Sequence, residues 1–343
     1  MIASLSLLPL LAVFAGAAAV LVITAIRATD LADILADRTR MGEALVGAVL
    51  LGAATSLAGT IVSINAAASG DASFAFSNAV GGIAAQTLFL ALADATYRKA
   101  NLEHAAAEPA NLFQSVLLIL LLCLPLAAIA GPDISFWGIH PASPLLVMVY
   151  LGGLHLTTRL RQKPMWQPVQ TPETRTDTPE DTSEPHRSAL RPALGFALLV
   201  AVMGLCGWVI SQVGGTLISR FGLGSTLVGA LVTAVVTSMP ELVTTLAATR
   251  RGALQLAVGG IIGGNTFDTL FLVFADTAYR EGSLYHAVGT QDLYWLVTGQ
   301  MMTAVLLAGL ILRQRHGPAR IGLESLLLIL IYGGAVALAV VSG

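Results

Sequence analysis

Thr237-Ser238-Met239-Pro240-Glu241 and, further along, Gly263-Gly264-Asn265-Thr266-Phe267-Asp268 place two carboxylates inside apolar stretches long enough to cross a bilayer. A charge at the bilayer centre costs about 2.5–3.5 kcal/mol on insertion scales, so such a group faces a cavity or a partner. Pro240 has no amide hydrogen, and the carbonyl of Val236, four residues back, therefore loses its helical donor. A helix broken at this depth is tolerated where it is buried in protein or lines a watery cavity. Thr237, Ser238, Glu241, Asn265, Asp268 and the freed carbonyl form an oxygen-rich set of the kind hard cations such as calcium or sodium prefer.

The rest of the chain agrees with a membrane setting. Of 343 residues, 55% are hydrophobic and 11% charged, against about 25% charged in soluble domains. The chain therefore reads as an all-α membrane protein. Cys123 and Cys206 both fall in apolar segments and read as small buried residues rather than a disulfide or zinc site. The opening segment, Ser4 to Ala25, lacks a basic start and is long for a signal sequence, so a retained first helix is expected. About ten spans can be marked, at 4–26, 43–68, 73–97, 112–131, 143–158, 190–219, 224–248, 253–279, 289–312 and 321–342, the fifth being short. Between the fifth and sixth lies 162–188, rich in Pro, Thr, Glu and Asp, a composition that cannot build a core. The expected division is a first five-helix half at 1–161, a flexible linker at 162–188 and a second half at 189–343.

The basic residues give an independent check. With the N-terminus outside, sixteen of the eighteen Lys and Arg fall on inner segments, leaving only Arg220 and Arg280 outside. The positive-inside rule thus predicts an outside N-terminus and a cytoplasmic linker, and an integral protein of the plasma (inner) membrane is expected.

Sliding the chain against itself by 182 positions aligns Gly42–Arg98 with Gly224–Arg280 without a gap, and twenty of 57 positions are identical. Thr55-Ser56 matches Thr237-Ser238, Gly81-Gly82 matches Gly263-Gly264, and Asp94, Tyr97 and Arg98 match Asp276, Tyr279 and Arg280. An odd number of spans separates the units, so the repeats are expected to be inverted. That architecture puts a substrate between two halves near the midplane and permits alternating access.

These motifs resemble the second alpha-repeat of the sodium/calcium exchanger family, within the cation/calcium antiporter superfamily. The ten-span, five-plus-five layout is similar too. The resemblance implies Thr237, Ser238, Glu241 and Asp268 as cation ligands, with Gly264 where a serine often stands. The first repeat departs from the pattern: Gly59 stands opposite Glu241, Ala58 opposite Pro240, Gln86 opposite Asp268 and Ile83 opposite Asn265. The family site draws a glutamate from each half, so one carboxylate is absent here. The candidate ligands are then Glu241, Asp268, Thr237, Ser238 and Asn265 from the second repeat, with Thr55, Ser56 and Gln86 from the first. The expected function is secondary cation antiport, with calcium or another cation exchanged against sodium or protons. The alternative is a non-transporting or sensor-like protein on the same scaffold. The expected partners are the lipid bilayer and small inorganic cations, with no nucleic acid and no resident cofactor. No nucleophile–base set, zinc pattern or nucleotide fingerprint points to an enzyme.

Several other polar residues carry blander expectations. Asp94 and Asp276 precede Arg98 and Arg280 by four, as in helical ion pairs. The two Gly pairs suit close helix packing, with ligand access as the other reading. Thr55 and Ser56 could instead bond carbonyls of their own helix. Ser77 and Asn78 are candidates for the ion pathway, His155 for a helix contact or interfacial position, and Tyr285, Tyr294 and Trp295 for an aromatic belt.

Overall fold

The computed structural model describes residues 2–39, 52–97, 100–169, 171, 190–317 and 321–342. The first half contains α1 (Leu7–Thr39), α2 (Gly52–Thr55), α3 (Leu57–Ala68), α4 (Ala72–Thr96), the short α5 (Leu102–Ala106), α6 (Pro109–Ala130) and α7 (Ala142–Gln162). The second contains α8 (Leu190–Phe221), α9 (Ser225–Thr237, with a π turn at Val228–Thr233), α10 (Met239–Arg251), α11 (Leu254–Asp268) and α12 (Leu270–Ala278). Short α13 (Leu284–Ala287), α14 (Thr290–Leu312) and α15 (Leu323–Ser342) complete it. Among the described residues the only β pairing is a single bridge between Phe136 and Ile139.

Seven of these segments are long and apolar enough to cross a membrane, and α9–α10, bent by 43°, makes an eighth. The α2–α3 pair, which begins at the edge of the described residues, and the 21-residue α7 bring the total to ten. The protein is an integral, all-helical membrane protein built from two inverted repeats.

The inversion is visible in particular contacts. Asp71, which caps α4, accepts a hydrogen bond from Ser225 at the start of α9 (2.7 Å). A Cβ on the neighbouring Gly70 would lie 3.0 Å from Glu281, just beyond the end of α12. The start of α4 therefore meets the end of its counterpart α11–α12, as only antiparallel repeats allow. Gly70 and Gly252, matched by the 182-residue offset, both take φ +82°, a left-handed turn that glycine adopts without a Cβ penalty.

Burial separates the centre from the rim. In the most apolar stretch of α4, 89% of residues are buried, and 67% in α11–α12, against 17% in α1 and 28% in α8. Small residues let the central helices touch backbone to backbone. A Cβ on Gly81 would stand 2.5 Å from the Ala230 Cα, and one on Gly207 2.5 Å from the Ala58 carbonyl oxygen. The outer helices α1 and α8 pack along each other and turn exposed Leu, Ile and Val outward.

Candidate cation site

Each repeat breaks at its motif serine. Ser56 separates α2 from α3 with ψ −6°, and Ser238 separates α9 from α10 with ψ 0°, both short of the helical value. In the second repeat Pro240 supplies the cause, since it has no N–H to return to Val236. In the first there is no proline. There the Thr60 hydroxyl donates to the Ser56 carbonyl (2.9 Å), a back-bond of the kind that bends helices.

The two breaks bring the halves together around Asp268. Ser56 donates to its Oδ1 at 2.6 Å and the Gln86 amide donates to its Oδ2 at 2.6 Å. The same Gln86 nitrogen reaches Ser238 Oγ at 3.2 Å. Glu241 lies beside this group, next to the Thr55 hydroxyl and within electrostatic range of Asp268, and apart from Thr55 and its own backbone nothing among the described residues offers its buried oxygens a hydrogen bond. Gln86 Oε1 and Asn265 Oδ1 are buried without a donor. Buried polar atoms are normally paired, so among the described residues two amide oxygens and the Glu241 carboxylate are short of donors in and around the junction.

All eight sequence candidates are buried at the repeat junction, with different roles. Ser56, Gln86, Ser238 and Asp268 form one network, with Glu241 beside it. Thr55 and Thr237 donate within their own helices, to the carbonyls of Gly52 and Thr233, and the Thr55 hydroxyl also lies against Glu241. Asn265 turns its amide to Thr87 (2.9 Å). The second glycine of each pair faces the site: a Cβ on Gly82 would sit 3.5 Å from Ser238 Oγ, and one on Gly264 3.3 Å from Gln86 Oε1. Packing explains Gly81, and proximity to the site groups explains Gly82 and Gly264.

The sodium/calcium exchanger protein family model matches residues 9–131 and 191–341. The chain belongs to the sodium/calcium exchanger family. The protein named "Putative antiporter CaxA" of Alkalimonas amylolytica is 35% identical over 127 residues, a match spanning 37% of each chain. Solved structures of the same fold include the H+/Ca2+ exchanger CAX (13% identity, 97% of this chain and 86% of that one, TM-score 0.65). The sodium-calcium exchanger NCX_Mj (16%, 97% and 99%, 0.63) and YfkE (14%, 96% and 91%, 0.61) share it too.

Against this family pattern the space beside Gly59 is notable. A Cβ there would meet the Phe271 ring at 2.7 Å and Thr237 Oγ1 at 3.5 Å. The position does point at the second-repeat motif, but an aromatic ring fills the volume a longer side chain would need. Nothing in the first repeat signals this, because Phe271 comes from the other half. Asn78, a candidate for the pathway, ties three helices together. It donates to the Gly59 carbonyl (3.1 Å) and Ser63 (2.9 Å) and accepts from Thr233 (2.8 Å), joining α3, α4 and α9.

Other expectations are corrected. Asp276 does not pair with Arg280, which is exposed. It accepts from the backbone of His140 and Leu284 and from Ser143, because buried N–H groups need an acceptor more than a surface arginine needs a partner. Asp94 likewise accepts from Leu102 and Gly322, and its expected partner Arg98 lies outside the described residues. Tyr285 and Trp295 are buried (0% and 1% exposed), not in an aromatic belt; only Tyr294 is exposed. His155 is on an exposed face of α7.

Proposed function

We propose that this protein is a secondary cation antiporter in which a cation binds between the repeats at Glu241 and Asp268 and is exposed to alternate sides. The carrying observation is the pair of carboxylates, Glu241 and Asp268, buried within electrostatic range of each other at the repeat junction, with no basic group among the described residues acting on either. Two carboxylates neutralise one divalent ion, two sodium ions or two protons, so competition for one site produces exchange. Calcium is favoured by the likeness to CAX and NCX_Mj, named for H+/Ca2+ and sodium-calcium exchange. The hydroxyl and amide oxygens of Ser238, Gln86 and Asn265 suit a hard cation.

One observation favours a lower-affinity site than the family pattern implies. Phe271 occupies the space beside Gly59, and first-half Ser56 and Gln86 offer Asp268 hydrogen-bond donors rather than charge. The halves would be 1–161 and 189–343, with the N-terminus outside and the linker cytoplasmic, as the basic residues indicate. The test is uptake of labelled calcium into proteoliposomes under imposed sodium, potassium or proton gradients. Glu241→Gln and Asp268→Asn should each abolish exchange while the protein still folds. Wild-type transport by the double variant would refute the site.

A further inference from the structure

The 182-residue offset also relates two buried clusters at opposite ends of the molecule. At one end Asp276 accepts from Leu284 N (3.1 Å), His140 N (2.9 Å) and Ser143 Oγ (2.6 Å). At the end where linker residues Val169 and Thr171 touch Arg313 and His104, Asp94 accepts from the matching Leu102 N and Gly322 N, both at 2.8 Å. Ser325 matches Ser143 and lies beside Asp94. One carboxylate thus performs the same task at both ends: it holds the N-termini of a short helix and a span.

The clusters differ in what surrounds that carboxylate. Around Asp276 the neighbours are Tyr285, whose hydroxyl meets Ser143 at 3.0 Å, and Ala142. At the linker end the matching positions are Glu103 on α5 and Glu324 on α15, 0% and 5% exposed. Glu103 Oε2 and Glu324 Oε1 have no hydrogen-bond partner among the described residues. Both converge over Gly322, lying 3.3 and 2.6 Å from where its Cβ would be. Gly309 on α14 leaves the room in which Glu324 lies down, since a Cβ there would strike Glu324 Cγ at 2.6 Å.

No basic side chain among the described residues neutralises this group. The Arg313 guanidinium donates to the carbonyls of His104 and Val169. His104 turns its ring to the Arg313 carbonyl and Thr171, and Glu108, just before α6, pairs with Arg161. From α11, Leu254, Val258 and Ile261 present only apolar contacts to α5. Three carboxylates this close and this dry do not all ionise. A divalent ion is a poor remedy, because Asp94 is committed to N–H donors and two remaining carboxyls fall short of the six to eight oxygens calcium takes. Among the described residues no group of three ionisable ligands is arranged to hold a metal.

We propose that Glu103 holds a bound proton where it converges on Glu324 at the linker end, and that its release loosens α5 from α15 and so regulates exchange from that side. The regulatory half rests on the antiporter reading; the proton site does not. Burial, then the charges of Asp94 and Glu324, hold Glu103 well above the ordinary carboxylate range. The sign follows. A carboxyl raised in the folded state keeps its proton where the unfolded chain has lost it, so stability is full at low pH. It falls as pH climbs from the ordinary carboxylate range through the raised value.

The test uses full-length protein in lipid. Infrared pH titration of wild type should show a protonated-carboxyl band that disappears on raising the pH and is reduced in both Glu103→Gln and Glu324→Gln. Thermal unfolding of wild type should fall with rising pH more steeply than that of Glu103→Gln. In proteoliposomes, a pH step on the linker side alone should change the wild-type exchange rate several-fold and leave Glu103→Gln nearly unchanged. An identical titrating band in wild type and both variants overturns the proton site. Loss of the band on adding calcium at constant pH, dependent on Glu103, overturns it in favour of a cation site. A reduced band with unchanged pH response of exchange supports the proton site and overturns its regulatory role. If a variant fails to fold, the wild-type band decides alone: its absence refutes the proton site. Absence of any exchange by wild type refutes the antiporter reading and leaves the band as a separate result.

Discussion

Glu241 and Asp268 are both buried carboxylates, yet their surroundings give them different work. Asp268 has both oxygens held by first-half donors at 2.6 Å, so it is positioned before any ion arrives. Among the described residues, Glu241 has no donor from the first half other than the Thr55 hydroxyl. Gln86→Leu should therefore weaken cation binding without removing a charge, because Asp268 loses its orienting amide. Titration calorimetry should show lower affinity, about tenfold for each 1.4 kcal/mol lost; unchanged affinity would reduce Gln86 to packing. At Gly59 the expectation is conditional on a neighbour. Gly59→Glu alone drives a side chain into the Phe271 ring, and overpacking of this kind typically costs about 1–3 kcal/mol. Combined with Phe271→Ala, the new carboxylate has room and should raise calcium affinity above that of Phe271→Ala alone. Equal affinities would mean that position 59 is not the partner of Glu241. The gain is bounded, since an added buried charge must first be desolvated.

Elements in this fold are joined by backbone groups seeking acceptors. Asp276 gathers donors from two helix starts, α7 through His140 and α13 through Leu284. Asp276→Asn replaces one acceptor oxygen by an NH2 that must confront a buried N–H or O–H. The expected loss is about 1–3 kcal/mol, read as a lower thermal unfolding midpoint, and an unshifted midpoint would contradict the clamp. The α4–α9 crossing is tighter still. Gly81 faces the Ala230 backbone rather than a side-chain tip that could swing away, so Gly81→Leu should prevent normal packing, whereas Gly16→Ala, with nothing within 4 Å, should be tolerated. Comparable unfolding of both variants would count against close approach as the reason for glycine at 81.

For the whole molecule, orientation is the open quantity, and the basic residues decide the expectation. Single cysteines introduced at Met165 in the linker and at Trp137 between α6 and α7, both highly exposed, should label from opposite sides. Membrane-impermeant reagent added to intact cells should reach position 137 and miss position 165. Labelling of both, or of 165 alone, would overturn the assignment of the linker to the cytoplasm.

Composition, the span pattern, the repeat and the broken TSMPE segment were all readable without coordinates, because each rests on local chemistry. Apolar length sets a span, proline removes a donor, and a fixed offset of matched residues encodes a two-fold relation. The eight candidate ligands came from local chemistry together with the family resemblance, and all eight are buried. What that reading could not supply were contacts between residues remote in sequence. Phe271 fills the space beside Gly59, Gln86 and Ser56 reach across to Asp268, and Asp276 turns from its sequence neighbour Arg280 to the amides of His140 and Leu284. Each of these depends on which surfaces meet after the helices pack. A buried donor or an empty volume is a property of that meeting, and no single stretch of chain contains it.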